Sequence, residues 1–338
     1  MNKDDVMNVL STIKYPGYSK SITDFKVVKD VEINGNTVDL LLNLGTADDK
    51  KRKIIYDEIR EKLGEKGLEV KISTVQEKGT TVEQKHYVSS AKKRIAILSA
   101  KGGVGKSTFA VSLAIAMSKM GKKVGLFDAD VHGPDVPRML GLQKPARADK
   151  EKNLILPNER EGIYSMSLGY VVDPETPVIW KGAMVSKAIV ELLQFTAWPE
   201  MDYFIVDLPP GTGDAALSIN QNMDLDGAII VTTPNSLAIM DAARATSYYN
   251  QLGTKVIGFV ENSGYFVCDE CGEKSYPFGN TEPIAIETQL KVPCLGVLPF
   301  EPKVEEAADD GNLFSALDTE FFKVMASIAE KIESELSN

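Results

Sequence analysis

A glycine-rich segment between an apolar run and a helical pattern constrains this chain most. Residues 99–108 read Ser-Ala-Lys-Gly-Gly-Val-Gly-Lys-Ser-Thr. Glycines let a backbone wrap until successive N–H groups point at phosphate oxygens, and the following helix adds the positive end of its dipole. In such a loop Lys106 reaches the β and γ phosphates of ATP, and the hydroxyl of Ser107 binds Mg²⁺. The predicted phosphate-binding residues are Gly102, Gly103, Val104, Gly105, Lys106, Ser107 and Thr108.

Composition limits the classes of protein that remain. With 338 residues, 43% of them hydrophobic, the chain can form a large α/β domain and a smaller one. A net charge of −10 argues against a dedicated nucleic-acid partner. The N-terminus carries acidic residues, and no apolar run reaches about 18 residues, so we expect a cytoplasmic protein without a membrane partner. Its three cysteines do not make a disulfide framework.

The first 75 residues predict a small α+β domain. Asn34-Gly35-Asn36 is a hairpin signal between two strand patterns. The predicted order is helix, strand, strand, helix, strand, at residues 3–14, 24–33, 37–44, 48–66 and 68–72. Residues 76–93 are polar without an apolar period, which predicts a linker. The ATPase domain is then expected over residues 94–338.

Short apolar runs alternate with helical patterns through the rest of the chain, which predicts a mostly parallel sheet flanked by helices. A closing helix is expected at residues 317–336. The predicted strands are residues 95–98, 123–127, 203–206, 228–231, 255–260 and 295–298.

Carboxylates follow two of these strands, where ligands of a parallel sheet bind. Asp130 is the candidate for positioning the attacking water, and Asp128 for supporting the metal shell. Asp207 is expected to hold magnesium through water, and the Gly211 amide to sense the γ phosphate. Phosphoryl transfer needs this set of a loop, a lysine, a hydroxyl, an acid and a positioned water. The alternative for the first pair is a solvated turn.

Several strings together resemble the Mrp-type iron–sulfur cluster carrier ATPases, over about residues 92 to 335. They are residues 128–134 (Asp-Ala-Asp-Val-His-Gly-Pro), 178–182 (Val-Ile-Trp-Lys-Gly), 198–203, 207–214 (Asp-Leu-Pro-Pro-Gly-Thr-Gly-Asp) and 232–234 (Thr-Thr-Pro). The N-terminal domain is similar to the MIP18-like domain that precedes the ATPase in many members. Because it lacks the cysteine that some relatives carry there, we expect it to contact partners or to regulate rather than to bind a cluster.

The resemblance also implies roles for single residues. Lys101 matches the second lysine of the deviant branch of P-loop ATPases, which includes the MinD/ParA-like proteins, and there it contacts the nucleotide of the opposite subunit. The family reads adenine with an asparagine that corresponds to Asn262, and the turn at Pro299 is expected beside the base. With these roles, Lys101, Lys106 and Asp130 are the predicted catalytic residues.

Cys268 and Cys271 form a C-x-x-C pair, and two thiolates at this spacing can hold one metal ion or cluster. A zinc site or a four-iron cluster needs about four ligands, and the chain has no second such pair. Two chains would supply four thiolates. The resemblance implies a [4Fe-4S] cluster bridged between two subunits, while a bridging zinc or a redox dithiol stays open. Cys294, at a strand start, is expected to be structural.

These observations predict a homodimeric, slow ATPase that holds an iron–sulfur cluster at its dimer interface and passes it to apo-proteins. Nucleotide and cluster would each contact both subunits, so each could alter the affinity for the other. Two alternatives remain. One is a MinD/ParA-like positioning ATPase, although no membrane-seeking tail or basic face is visible. The other is an ATPase whose C-x-x-C holds a structural zinc.

Overall fold

The structure is a computed structural model that describes residues 3–16, 20–25, 27–42, 49–74, 87–131, 133–172, 182–268 and 270–337. Its residues divide into two compact units, Met1–Glu83 and Gln84–Asn338. Residues 76–86 of the predicted linker lie outside the described residues, as do residue 75 before it and residues 43–44 of the second predicted strand.

The N-terminal unit is a three-stranded sheet with two helices. In chain order its elements are α1 (Lys3–Leu10), β1 (Val28–Asn34), β2 (Thr37–Leu42), α2 (Asp49–Gly64) and β3 (Glu69–Thr74). Strands β1 and β2 are antiparallel and β2 and β3 parallel. The hairpin turn falls where the sequence predicts it, because Gly35 takes the left-handed backbone (φ +65°) that this turn requires.

The apolar spacing of the first helix continues past its end. Val6, Leu10 and Ile13 are all fully buried, as their spacing predicts. The helix nevertheless stops at Leu10 rather than at residue 14, because Lys14 forms a β-bridge with Ser21. The last of these apolar side chains, that of Ile13, therefore reaches the core from a turn rather than from the helix.

The C-terminal unit contains the remaining strands and helices, joined in places by short 3-10 turns. The strands are β4 (Ala91–Leu98), β5 (Val124–Asp128), β6 (Arg147–Asp149), β7 (Leu154–Leu156), β8 (Asn158–Arg160), β9 (Ile163–Ser167), β10 (Met201–Asp207), β11 (Gly227–Thr232), β12 (Val256–Val267), β13 (Lys274–Ser275) and β14 (Cys294–Pro299). The helices are α3 (Lys106–Lys119), α4 (Val136–Met139), α5 (Gly182–Phe195), α6 (Asp214–Asn222), α7 (Ser236–Gln251), α8 (Pro283–Leu290), α9 (Pro302–Asp309) and α10 (Glu320–Ser337).

Nine of these strands form one sheet, and its order runs β8-β9-β5-β10-β4-β11-β12, with both β13 and β14 paired to β12. All pairs are parallel except β8 with β9 and β12 with β13. Strands β6 and β7 form a separate hairpin. The prediction of a mostly parallel α/β sheet preceded by a small α+β domain is therefore confirmed.

Apolar side chains cover both faces of this sheet. One core lies under α3, α9 and α10, and includes Phe109, Leu113, Phe321 and Met325. The other lies under α5 to α8, and includes Phe127, Phe204 and Ile230 among others. Burial of an apolar helix on each side explains why the strands between them are apolar throughout rather than alternating.

Two strands of the large sheet differ from their predicted bounds by more than two residues. β4 begins at Ala91, inside the segment predicted as linker, because Ala91 already pairs with Met201. β12 continues beyond its predicted end at residue 260, through Asn262 to Val267. The sheet thus runs directly into the C-x-x-C pair. Within the described ranges no helix is both long and apolar enough to cross a membrane.

Candidate nucleotide site and cysteine loop

The glycine-rich loop lies between β4 and α3, at the carboxyl edge of the parallel strands. Gly103 (φ +79°) and Gly105 (φ +80°) adopt left-handed backbone that other residues rarely take. Gly105 is the N-cap of α3 and offers no side chain to its first N–H groups, which are therefore available to an anion. The Asn262 amide donates to the Val104 carbonyl at 3.0 Å. It lies so close that a Cβ at Gly105 would overlap it.

Lys106 and Asp207 form a buried ion pair at the base of the loop. The ammonium of Lys106 contacts Asp207 Oδ1 and lies 3.2 Å from Ser107 Oγ. Among the described residues, Asp207 Oδ2 has no hydrogen-bond partner although it is fully buried. Burial raises the pKa of Asp207, and the charge of Lys106 opposes that shift. The arrangement leaves one carboxylate oxygen available for a cation.

Asp128 lies beside Asp207, since the ends of β5 and β10 pair in register. Its Oδ1 accepts the Asp130 N–H at 3.1 Å, and its Oδ2 accepts the Ser167 hydroxyl at 3.0 Å. Burial, together with the negative charge of Asp207, raises the pKa of Asp128 well above its usual range. Asp130 in turn accepts the Gly133 N–H at 3.3 Å. Asp128 therefore holds the turn that carries Asp130.

The turn after β10 is tied to the glycine-rich loop. The Gly211 N–H, predicted to sense a phosphate, donates to the Ser99 carbonyl at 2.8 Å, and Gly211 has a φ of +89°. Its amide thus lies at the start of the loop.

Lys101 has a partner within its own chain. Its Nζ lies 2.9 Å from Asp241 Oδ2, on α7, and Arg244 contacts the other carboxylate oxygen at 2.8 Å. Lys101 donates to this carboxyl and lowers the pKa of Asp241. No sequence pattern points to this pair, because a half-buried aspartate 140 residues further along the chain has nothing to distinguish it from others.

A cavity of about 860 Å³ opens beside the loop, and we refer to it as the loop cavity. Its wall includes Lys101, Gly103, Asn262, Phe278, Phe300 and Glu305. Asn262, which the sequence predicts to read the adenine, thus lies in the wall of this cavity. Pro299 instead lines a second cavity of about 350 Å³, beside the end of β12, and Phe300 lines both.

The cysteine loop, residues 268–278, begins one residue after β12. Cys268 is half-buried and Cys271 exposed. A tight turn brings them to the same end of the strand: the Gly272 N–H donates to the Cys268 carbonyl at 2.9 Å, and the Cys268 N–H donates to Glu273 at 3.0 Å. Within the described ranges no group of three or more His, Cys, Asp and Glu side chains could hold a metal ion. One described chain therefore offers two thiols, an incomplete ligand set.

The third cysteine is in a different environment. Cys294 starts β14, and burial raises the pKa of its thiol to about 11. A protonated thiol is a poor metal ligand. Of the sequence strings, residues 178–181 and His132 lie outside the described residues.

A loop of this kind at the carboxyl end of a parallel strand makes the second unit a P-loop NTPase. Residues 90–333 match the family described as NUBPL iron-transfer P-loop NTPase, and residues 3–75 match the family described as iron–sulfur cluster assembly protein. The chain therefore belongs to the NUBPL-type iron-transfer P-loop NTPases, and the resemblance read from its motifs is confirmed.

Individual relatives agree. The chain is 35% identical to the iron–sulfur cluster carrier protein of Synechocystis, over 100% of this chain and 98% of the relative. Among solved structures, a nucleotide-binding protein from Archaeoglobus fulgidus in complex with ADP is 34% identical, with a TM-score of 0.59 over 70% of this chain and 93% of the other. The septum site-determining protein MinD from Pyrococcus horikoshii, with Mg-ADP, shares the fold at 21% identity and a TM-score of 0.55, over 71% and 96%.

Proposed function

We propose that this protein is a slow ATPase that carries an iron–sulfur cluster between two copies of the chain and passes it to apo-proteins. One observation carries the proposal. Strand β12 contacts the glycine-rich loop through Asn262 and ends next to Cys268, so one element joins a nucleotide site to half of a metal site. We place this activity in the cytoplasm, because its thiols must stay reduced to hold a cluster.

The glycine-rich loop and the wall of the loop cavity bind ATP. The loop amides receive the phosphates, with Gly102 to Gly105 and Thr108 along the cavity wall. The Lys106 ammonium exchanges its contact with Asp207 for the β and γ phosphates. Asn262, which lines the same cavity beside the loop, reads the adenine. These steps need no rearrangement of β4 or α3.

Magnesium fits the oxygen donors at this site. Ser107 Oγ and the buried Oδ2 of Asp207 are both near Lys106, and oxygen ligands of this kind suit a hard divalent cation. When bound, magnesium neutralises charge on the phosphates. Asp207 would hold it through water, and Asp128, kept in place by Ser167, would support that shell.

Hydrolysis requires a water in line with the γ phosphate. Asp130 orients that water from the turn fixed by Asp128. The Gly211 N–H leaves the Ser99 carbonyl to sense the γ phosphate, so the turn after β10 responds to ATP but not to ADP. Because the Gly211 N–H must exchange one hydrogen-bond partner for another, we expect ATP hydrolysis to be slow and to act as a switch.

The second copy completes both sites. Lys101 exchanges Asp241 for the nucleotide of the partner subunit. Cys268 and Cys271 from two chains give four thiolates, which is the usual ligand number of a [4Fe-4S] cluster. The cluster is cargo, and the exposure of Cys271 leaves it open to exchange with a recipient. Since ATP and cluster both bridge the same two chains, each alters the affinity for the other.

The test is anaerobic purification followed by analysis of iron, sulfide and zinc. We expect roughly two iron atoms per chain, one four-iron cluster for two chains. Cys268→Ser and Cys271→Ser should each lose this iron and keep ATP binding. Cys294→Ser is the matched control and should keep both. The transfer assay then mixes loaded protein with an apo-ferredoxin and follows its visible absorption.

Other outcomes point to the alternatives. Stoichiometric zinc in place of iron, under strictly anaerobic handling, would identify a structural zinc site. Full iron content in both loop variants would contradict the assignment of the cysteines. Nucleotide-dependent sedimentation with liposomes or DNA would favour a positioning ATPase.

A further inference from the structure

The two ends of the cysteine loop meet at one phenylalanine. Phe266 lies in β12 just before the loop, and Phe278 ends the loop. Phe300, which follows β14, contacts both: its ring centroid is 6.5 Å from that of Phe266, tilted by 46°, and 5.8 Å from that of Phe278, edge to face at 74°. We refer to these three rings as the aromatic bridge.

The base of the loop is fixed beside Phe300. The Phe300 N–H donates to the Tyr265 carbonyl at 2.7 Å. The returning strand pairs Ser275 with Phe266, and the Lys274 ammonium lies 4.1 Å from the centroid of the Tyr265 ring. The backbone at the base is therefore held by hydrogen bonds and a cation–π contact, while Cys271 beyond it is exposed.

The aromatic bridge also forms part of the nucleotide site. Phe278 and Phe300 both line the loop cavity of about 860 Å³, and Phe300 separates it from the second cavity of about 350 Å³ beside β12. Phe278 is 51% exposed. A nucleotide in the loop cavity covers these two rings, so it contacts the residue that ends the cysteine loop.

Edge-to-face rings have a preferred geometry. A ligand that shifts the orientation of one ring therefore changes the orientation that is most stable for the neighbouring rings. Phe300 is the only one of the three that touches both others. Asn262 reaches the glycine-rich loop, but it lies between Glu261 and Tyr265, which both pair with β14, and its amide donates to Val104 rather than to the cysteine loop. The aromatic bridge is the contact that extends beyond the sheet to the cysteine loop.

We propose that Phe300 is a positioning residue, through which a bound nucleotide sets the accessibility of Cys268 and Cys271. The inference rests on the proposed function in one respect, that ATP occupies the loop cavity. It adds the residue that links nucleotide state to the thiols.

The experiment follows alkylation of the cluster-free protein by a maleimide at pH 7, with each cysteine resolved by peptide mass spectrometry. Rates are compared without nucleotide and with a saturating non-hydrolysable ATP analogue. In the natural protein we expect the nucleotide to change the rates at Cys268 and Cys271 by about threefold or more. Phe300→Ala should bring the ratio of the alkylation rates with and without nucleotide to near one. Phe300→Tyr, which keeps the ring, should preserve the ratio of the natural protein.

Controls separate positioning from general damage. Phe195→Ala removes a ring that is 38% exposed at the end of α5, in neither of the two cavities, and should leave the ratio unchanged. Cys294 serves as an internal reference for reagent and folding. If Phe300→Ala fails to bind the analogue, Phe300→Leu keeps the apolar wall without the ring contacts and should show the same reduced ratio.

The result that overturns the inference is a nucleotide-dependent ratio that survives in both Phe300→Ala and Phe300→Leu, or no dependence in the natural protein. This assay contains no iron. An absence of cluster would therefore contradict the proposed cargo but not the coupling, and a constant ratio would contradict the coupling but not the cargo.

Discussion

The nucleotide site and the cysteine loop differ in almost every physical respect. At the nucleotide site Lys106, Asp128 and Asp207 are all buried: Lys106 pairs with Asp207, and Asp207 and Asp128 lie at the ends of neighbouring strands. At the cysteine loop the chain leaves the sheet, and Cys271 is exposed. The first site is nearly complete in one chain, whereas the second supplies two of about four ligands.

This difference fits the tasks that we propose. Charges that are buried and fixed before the reaction stabilise a transition state well, because they need no reorganisation. A cargo must leave, so an exposed and incomplete site suits it. The comparison predicts that damage to one region leaves the other working, except where β12 and the aromatic bridge join them.

The largest separation is expected from Lys106→Met. Removal of the buried ammonium should lower kcat for ATP hydrolysis roughly 10²- to 10³-fold, by analogy with the loss of one electrostatic donor in other active sites. The iron content after anaerobic purification should stay unchanged. Lys119→Met, at the exposed end of the same helix, is the control. Equal loss of iron and hydrolysis in Lys106→Met alone would mean that the regions are not separable.

Glu261, on the strand shared by both regions, should give the next largest effect. It is 3% exposed, and burial, with a contribution from Glu282, raises its pKa from 4.5 to about 7. The folded protein then keeps a proton between about pH 4.5 and 7 that the unfolded chain releases, so the free energy of unfolding falls as pH rises through this window.

The size of this loss in the free energy of unfolding follows from about 1.36 kcal/mol per pKa unit, which gives about 3 kcal/mol between pH 4.5 and 8. Glu261→Gln stays neutral and should lack this loss. Urea unfolding of both proteins at pH 5 and pH 8 measures the difference between them. Parallel pH profiles would contradict a buried neutral carboxyl.

Gly105→Ala should weaken the nucleotide region without touching the thiols. A Cβ there needs a strained left-handed backbone and overlaps Asn262, so we expect the free energy of unfolding to fall by about 2 kcal/mol. Gly102→Ala is the control, because its Cβ meets nothing within 4 Å. Urea unfolding without nucleotide compares the two variants. Equal free energies of unfolding would contradict the expected strain at Gly105.

The smallest effect is expected from Asp241→Asn, which releases Lys101 from its own chain. Since this pair is partly exposed, we expect ATP-dependent dimers to form only about two- to fivefold more tightly. Sedimentation with a non-hydrolysable analogue measures it, with Asp318→Asn, another exposed pair partner, as control. Weaker dimers would show that Asp241 supports association.

Much of the fold follows from the sequence. Alternating apolar runs identify the parallel strands, and the shared edge of parallel strands brings Asp128 to Asp207. The edge strands β8 and β13 are too short to carry an apolar period. The end of β12 is hidden for another reason: Asn262 and Gly264 are typical of turns. Ser263, at φ +55°, lies in an irregularity of the strand, between Glu261 and Tyr265, which both pair with β14.

At the site, the residues that a local motif specifies could be predicted, and those that depend on distant packing could not. The glycine-rich loop defines Lys106 and Ser107 by spacing alone. Asp241 and Phe300 reach the site from other elements, and neither belongs to a motif. The burial of Glu261 likewise follows from its neighbours in the sheet rather than from its own sequence context.

The length of β12 has a consequence for how this chain can change during evolution. Asn262 lies in β12 and Cys268 directly follows the last residue of that strand, so the two are six residues apart, a reach of at most about 20 Å at 3.3 Å per residue. Inserting or deleting one residue between them would turn every later side chain to the opposite face. Relatives that keep both residues are therefore expected to change this spacing only in steps of two, and to place single insertions beyond Cys271.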